Sequence, residues 1–523
     1  MKKTNILAIG VLAGALVILS GCKDSFLEQE PPKSAPVEEY FSTIEHIDEA
    51  MNAAYVPARM YDYDGNNFAA LNWIDMLGDD MLVGAAGPSD QEVWHNASDY
   101  RLTADLTITN YWDESYAGIR MCNEVIDYIE NNKEALAAES ANYVDEKESE
   151  ARVLRAFYYS VVWKNFGNIP YFTQKLNAED KPEQVTADEA YQAIITDLED
   201  VIALNALPIK QDEDNLGRAS KALAYMIYAD LVLYQNDEAR FSKALSFMTE
   251  LINGADYDLD LAGYAHLFSS DGEWGPESIF EINYTDGSAC VRGYDNLSGI
   301  GGSFQGKCLA PEGGDAAASV IDGWGTFIVR KTTYDQYSPN DERRDVSCFV
   351  PSGNYTARYQ DQGVFCGKYI ARTPAEGTGG ADHCQSNQNL RVYRYAETLL
   401  NAAELLVRTG GSAATAKNYI TQVRQRAGLV SEVEPTLDNI LQERRLEFLG
   451  EGKRYYDLVR MEGVSGVTTK ASTVLKIDTE AINGKGERGR QANWSANKKY
   501  LPISSKEISA AEGALRQNDA YFN

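Results

Sequence analysis

Lys221-Ala222-Leu223-Ala224-Tyr225-Met226-Ile227-Tyr228-Ala229-Asp230-Leu231-Val232-Leu233-Tyr234 is the stretch from which the fold can be read most directly. Ala222, Tyr225, Met226, Ala229 and Leu233 recur at the three- and four-residue spacing that gathers them on one helix face. Gln235-Asn236-Asp237 breaks the pattern, and Phe241, Ala244, Leu245, Met248 and Ile252 then line a second helix. Small residues let two helices approach closely and rings fill the remaining space, so the short turn predicts an antiparallel helix hairpin.

The pattern returns near the C-terminus. Val392, Tyr395, Ala396, Leu399, Ala403 and Leu406 form one stripe, Gly410-Gly411-Ser412 the turn, and Ala416, Ile420 and Val423 a second stripe. A hairpin of this tetratricopeptide type cannot bury its own apolar face, so neighbouring pairs must stack on it. Upstream, Phe41 to Tyr55 and Tyr111 to Ile129 are helical, and Glu150 to Phe166 is a long helix stopped by Gly167 and Pro170. Its rings, Phe157, Tyr158, Tyr159, Trp163 and Phe166, read as core. Residues 73 to 111 hold few regular patterns. The expected fold is mainly α, three or four helix pairs carrying long loop and short-strand insertions.

The main insertion spans about 256–389, is rich in Gly, Tyr, Asn and Ser, and includes the β-like piece Ser278-Ile279-Phe280-Glu281-Ile282. It carries Cys290, Cys308, Cys348, Cys366 and Cys384, none in a Cys-x-x-Cys pair, which argues against zinc and redox motifs. In an exported chain, disulfides stapling these loops are expected, with Cys122 as a sixth thiol and the connectivity open.

Export is read from the N-terminus. Lys2 and Lys3 precede an apolar run from Ile6 to Leu19, and Leu19-Ser20-Gly21-Cys22 resembles a bacterial lipobox. Residues 1–21 are read as a signal, Cys22 as the lipidated residue, 22–38 as a Pro-stiffened tether and 39–523 as one domain. Several acyl chains are needed for durable anchoring, since one alone binds membranes reversibly. The formal charge of −30 becomes −32 once Lys2 and Lys3 leave, which disfavours nucleic acid and anionic lipid headgroups as partners.

Catalytic signals are thin. Glu443, Glu447 and Glu451 at i, i+4 and i+8 are expected to line one helix face, where they cannot flank a glycosidic bond from both sides. Arg444, Arg445, Arg454 and Arg460 are close enough in sequence to hold them ionised, so a structural ion-pair network is expected. None of the four histidines lies in a His-Glu-x-x-His pattern, and no nucleophile elbow or Walker loop occurs. Gly484-Lys485-Gly486-Glu487-Arg488-Gly489 has dinucleotide spacing without a strand-turn-helix around it. No catalytic residue, metal or cofactor is expected.

For a binder, the useful chemistry is flat rings in polar loops. Sugar C–H faces stack on rings, while hydroxyls take hydrogen bonds from amides, carboxylates and guanidinium groups. On this basis Trp94 and Asn96, Trp274, Arg292, Tyr294 and Asp295, and Trp324 are the candidate ligand contacts. Trp112 and Trp163 fall in helical patterns and are assigned to the core.

The ordered motifs carry a family resemblance. Asp24-Ser25-Phe26-Leu27 after the lipobox, Glu150-Ala151-Arg152 through Tyr159, Phe166-Gly167-Asn168-Ile169-Pro170-Tyr171 and Gly217-Arg218-Ala219-Ser220-Lys221 come first. Tyr393-Arg394-Tyr395-Ala396-Glu397, Arg424-Gln425-Arg426-Ala427-Gly428, Glu443 to Phe448, Glu451 to Arg460, Tyr500-Leu501-Pro502-Ile503 and Gln517-Asn518 follow. Together they resemble the SusD/RagB family of Bacteroidetes surface lipoproteins. The resemblance implies an outer-membrane, outward-facing, non-catalytic protein. Such a protein captures oligosaccharides or polysaccharides and passes them to a SusC-like TonB-dependent transporter. A peptide-binding member of the same family is the alternative, and an exported hydrolase a distant third.

Overall fold

The computed structural model describes residues 40–62, 69–285, 302–370, 372, 386–477, 490 and 492–522. Cys22, Cys290, Arg292, Tyr294, Asp295, Cys384 and the 484–489 loop lie outside them. The helices used below are α1 (Ile44–Ala54), α2 (Glu92–Ser98), α3 (Asn110–Asn131), α4 (Tyr143–Phe166), α5 (Ala187–Leu204), α6 (Lys221–Gln235) and α7 (Phe241–Asn253), then α8 (Tyr395–Arg408), α9 (Ala413–Arg426), α10 (Leu437–Glu447) and α11 (Arg454–Arg460).

The molecule is mainly α, as the periodicity predicts. From α3 to α9 each helix packs on the next in chain order, so the two predicted hairpins, α6–α7 and α8–α9, are neighbours in one stack. The insertion leaves after α7 and the chain returns to start α8 against it. Local chemistry sets the ends of α6. The Ser220 hydroxyl accepts from Leu223 N–H at 3.2 Å, and Asn236 closes the helix at φ 58°, a left-handed position Asn tolerates. Ser220→Ala is expected to cost about 1 kcal/mol in urea unfolding, since the cap is buried and its donor loses its partner. Along α3, Gly118 lies under the Tyr158 ring of α4, where a Cβ would stand 2.2 Å from a ring carbon. One hydrophobic core runs from Ile47 to Leu515 and contains the α4 rings, with Trp112 and Trp163.

Strands β1 (Met81–Val83), β2 (Ser278–Ile282), β3 (Phe327–Val329), β4 (Cys348–Phe349), β5 (Phe365–Cys366) and β6 (Leu390–Arg394) decorate the stack. A four-stranded antiparallel sheet has the order β1-β3-β5-β4, and β2 pairs with β6 through an irregular register. The predicted β-like piece at 278–282 is therefore a strand. Val392 is not in the first stripe of the C-terminal hairpin: it belongs to β6, and the helix begins only at Tyr395. An apolar residue two or three positions before a helix fits its periodicity by chance.

The expected disulfides do not form at Cys122, Cys348 or Cys366, which are buried free thiols; Cys308 is buried as well. Cys348 and Cys366 face each other across the β4–β5 ladder as part of the core. Their loops are held by burial and ladder hydrogen bonds, without a staple. Among the described residues, no helix is long and apolar enough to cross a membrane.

The ion-pair network exists but is wired differently from the sequence expectation. α10 ends at Glu447, so Glu451 is not on its face. Glu443 pairs with Arg343 at 2.6 Å and Arg424 at 2.7 Å, and Glu447 with Arg343, Arg394 and Arg426. Glu451 meets Lys368 at 2.5 Å and Arg394 at 2.7 Å. Arg444 turns instead to Asp457, Arg445 and Arg454 to Asp79 and Asp80, and Arg460 to Glu404. A residue next to a glutamate on a helix points about 100° away from it, so the partners come from other elements. The surrounding guanidinium groups hold the Glu447 and Glu451 carboxyls below their ordinary range against the opposing effect of burial.

Candidate functional site

At the end of the β1–β3 ladder the backbone knots tightly. Val83 pairs with Phe327, Gly84 N–H donates to Thr326 O at 2.6 Å, and Ala85 N–H donates to Gly325 O at 2.9 Å. A Cβ at Gly84 would lie 2.2 Å from Gly325 O, so glycine is required there. Ala85 takes φ 66°, and its carbonyl accepts from Tyr359 N–H at 3.1 Å. Gln360 Nε2 donates to Val83 O at 2.9 Å and Arg358 Nη1 to Trp324 O at 2.8 Å. The segment 358–360 is thereby laced to both strands.

Beside this knot lies a cleft of about 200 Å³, lined by His95, Asn96, Arg101, Tyr359 and Arg490 among others. α2 supplies one wall, with the Tyr359 ring meeting His95 edge-on at 5.5 Å between centroids. Asn96 Nδ2 donates back to Glu92 O at 2.9 Å, which presents Oδ1 as an acceptor. Arg101 is fixed by Asp99 at 2.7 Å, and buried Arg490 donates to Ser98 O at 3.0 Å and to Gly78 O at 2.5 Å. Trp324 is half-buried, with the Lys307 ammonium 5.9 Å from its ring centroid. The result is partly exposed rings flanked by amide, guanidinium and ammonium groups held in place by the backbone. Rigid rings offer contact with little conformational entropy to lose, and a few fixed polar groups orient a polyol.

Of the sequence-predicted contacts, Asn96 lines the cleft with Tyr359; Trp324 is outside its lining, linked to it only through its carbonyl, which accepts from Arg358. Trp94 is a correction. It is fully buried, packing on Trp73 at 5.7 Å, and Trp73 in turn lies 4.2 Å from Phe327. The polar stretch that reads as a loop is a short helix started by Gln91 at φ 60°, which turns Trp94 inward. Trp274 sits elsewhere, its indole N–H donating to Asn283 Oδ1 at 2.9 Å. Tyr359 escaped the sequence reading, although it stands in Asn354-Tyr355-Thr356-Ala357-Arg358-Tyr359-Gln360-Asp361, the same ring-in-polar-loop pattern that selects the others.

Among groups of His, Cys, Asp and Glu in the described residues, none is arranged to hold a metal ion. Glu443, Glu447 and Glu451 are buried and paired with cations, and none of them lines this cleft.

Known proteins resemble this chain over almost its whole length. Residues 276–521 match the SusD family, and residues 25–233 match a family described as starch-binding, associating with outer membrane. Surface glycan-binding protein A from Bacteroides thetaiotaomicron, solved with laminarihexaose, is 40% identical and superposes with a TM-score of 0.82, covering 91% of this chain and 99% of its own. A laminarin-binding SusD-like protein is 25% identical, with a TM-score of 0.76 over 92% of this chain and 100% of its own. SusD-like protein P2 of Formosa agariphila is 26% identical over the whole of both chains. The chain belongs to the SusD family.

Proposed function

We propose that this protein is a non-catalytic, lipid-anchored receptor on the outer face of the outer membrane. It holds a laminarin-type oligosaccharide at the Asn96–Tyr359–Trp324 surface and hands it to a SusC-like TonB-dependent transporter. The observation that carries the reading is the full-length likeness to a protein solved with laminarihexaose. The half-exposed rings and fixed polar groups supply chemistry suited to such a ligand. Cys22 is the proposed anchor, and Arg292, Tyr294 and Asp295 remain proposed contacts from the insertion.

Calorimetric titration of the body lacking the signal with laminarihexaose tests the reading. Saturable binding is expected, and Trp324→Ala or Tyr359→Ala should each weaken it about tenfold, within the range of aromatic hot spots. The hexasaccharide should be recovered intact after prolonged incubation. Binding of short peptides in place of the glucan, or recovery of cleaved sugar, would overturn the proposal. Mass spectrometry of the mature chain should find Cys22 acylated at a new N-terminus, and pull-down from solubilised membranes should bring the transporter.

A further inference from the structure

A larger pocket, about 360 Å³, opens where the end of α1 and the residues after it meet the 214–218 turn and β2. That volume lies within the range of small-ligand sites, roughly 300–1,000 Å³. Its floor is the buried pair Phe280 and Ile282, and Tyr55 closes one side. Arg59 and Arg218 stand against Asp214 and Glu281, so the lining carries balanced charge. Arg218 is held by Glu150 at 2.9 Å and Asn52 at 2.7 Å, and Glu281 receives Trp274 N–H at 3.1 Å and Asn389 Nδ2 at 3.0 Å. Two of the four charged groups are thus held by partners in the fold, and the two signs are equal in number, which leaves no net charge to select an ion.

One polar group is both exposed and oriented. Asn283 Oδ1 accepts from Trp274 Nε1 at 2.9 Å and from Asn389 Nδ2 at 3.0 Å, which fixes the flip of its amide. Its Nδ2 is turned over Gly217, where a Cβ would come within 2.4 Å of it. Gly217 has φ 96°, and the Trp274 ring lies 3.5 Å from the same Cβ position. Trp274 itself takes φ 53°, a conformation that a bulky L-residue adopts rarely. Strain of this kind collects at ligand sites because surrounding contacts must enforce it. The turn thus places an indole edge and a directed amide donor at the mouth of an apolar-floored, charge-balanced pocket.

We infer that this pocket is a second carbohydrate subsite, taking the neutral end of a glucan chain, with Asn283 Nδ2 donating to a sugar hydroxyl and Trp274 contacting the ring. The inference adds a site to the Asn96–Tyr359–Trp324 surface and stands or falls separately from it.

The experiment uses the soluble body carrying Trp324→Ala and Tyr359→Ala together, titrated with laminaribiose, cellobiose and maltose by calorimetry and by tryptophan fluorescence. Weak, saturable binding of at least one disaccharide is expected to persist. Adding Asn283→Asp keeps an oxygen for Trp274 and Asn389 but removes the donor, and should weaken that binding about tenfold or more, as loss of an oriented polar contact does. Adding Trp274→Phe should remove most of the fluorescence response. Loss of all disaccharide binding in the double variant, residual binding indifferent to Asn283→Asp, or preference for a dipeptide over every sugar would overturn the inference. The difference in laminarihexaose affinity between the unaltered protein and the Trp324→Ala, Tyr359→Ala variant, measured alongside, reports on the first site. Circular dichroism of Asn283→Asp, matching the parent, excludes a folding defect as the cause.

Discussion

Arg394→Met is expected to destabilise the protein by about 3–5 kcal/mol, read as a lowered urea midpoint, because it strands buried carboxylates. Arg394 is 2% exposed, and its guanidinium donates to Glu277 at 2.5 Å, Glu447 at 2.6 Å and Glu451 at 2.7 and 2.9 Å. It also lies over the Phe448 ring at 4.6 Å. Methionine can occupy much of the volume, yet three buried acids would then share fewer cations. An exposed pair serves as the control. Lys175→Met, which breaks a 3.2 Å contact with Asp127 between two partly exposed side chains, should change stability by no more than about 1 kcal/mol. A change below about 1 kcal/mol for Arg394→Met would show that the centre relaxes to admit water.

The second large effect is acid sensitivity. Glu447, Glu451 and Asp457 are buried and Asp79 and Asp230 half-buried, all with their carboxyls below the ordinary range, held there by Arg394, Arg454, Arg444, Lys164 and their neighbours. In the unfolded chain these groups return to values near 4, so below about pH 5 the unfolded state binds more protons than the folded one. Stability from these groups is therefore complete above that range and is lost as pH falls toward the folded values. Each proton taken up on unfolding contributes about 1.4 kcal/mol per pH unit, and several titrating together give a steep decline. Urea midpoints measured from pH 7 to pH 3 should be level at first and then drop sharply. Glu447→Gln should flatten the acid limb while lowering stability at pH 7. A midpoint that stays constant down to pH 3 would contradict the wiring.

The helix stack was legible because burial of a helix face repeats every three to four residues, and Ala222, Met226 and Ala229 carry that signal without outside help. Trp94 misled because its neighbours Gln91, Glu92 and Asn96 are polar, and a seven-residue helix is too short to show its period. The carboxylate network was foreseen in kind but not in its partners. Arg343, Lys368 and Arg394 are far from Glu443, Glu447 and Glu451 in sequence, and no local pattern announces contacts across separations of 53 to 104 positions. Asn96 and Trp324 stand out by their polar and glycine neighbours, whereas the place of Tyr359 beside Asn96 and the bond from Arg358 to the Trp324 carbonyl depend on strand register, which spacing does not reveal.

The central salt-bridge cluster has a bearing on biogenesis. Arg343, Lys368 and Arg394 precede most of their counter-charges, which arrive with Glu443, Glu447 and Glu451 close to the end of synthesis. A ribosome-bound or truncated polypeptide stopping before position 443 has cations that cannot be buried without a severe desolvation penalty. The cluster can therefore close only when α10 and the segment after it have been made, so the last elements of the chain complete its interior.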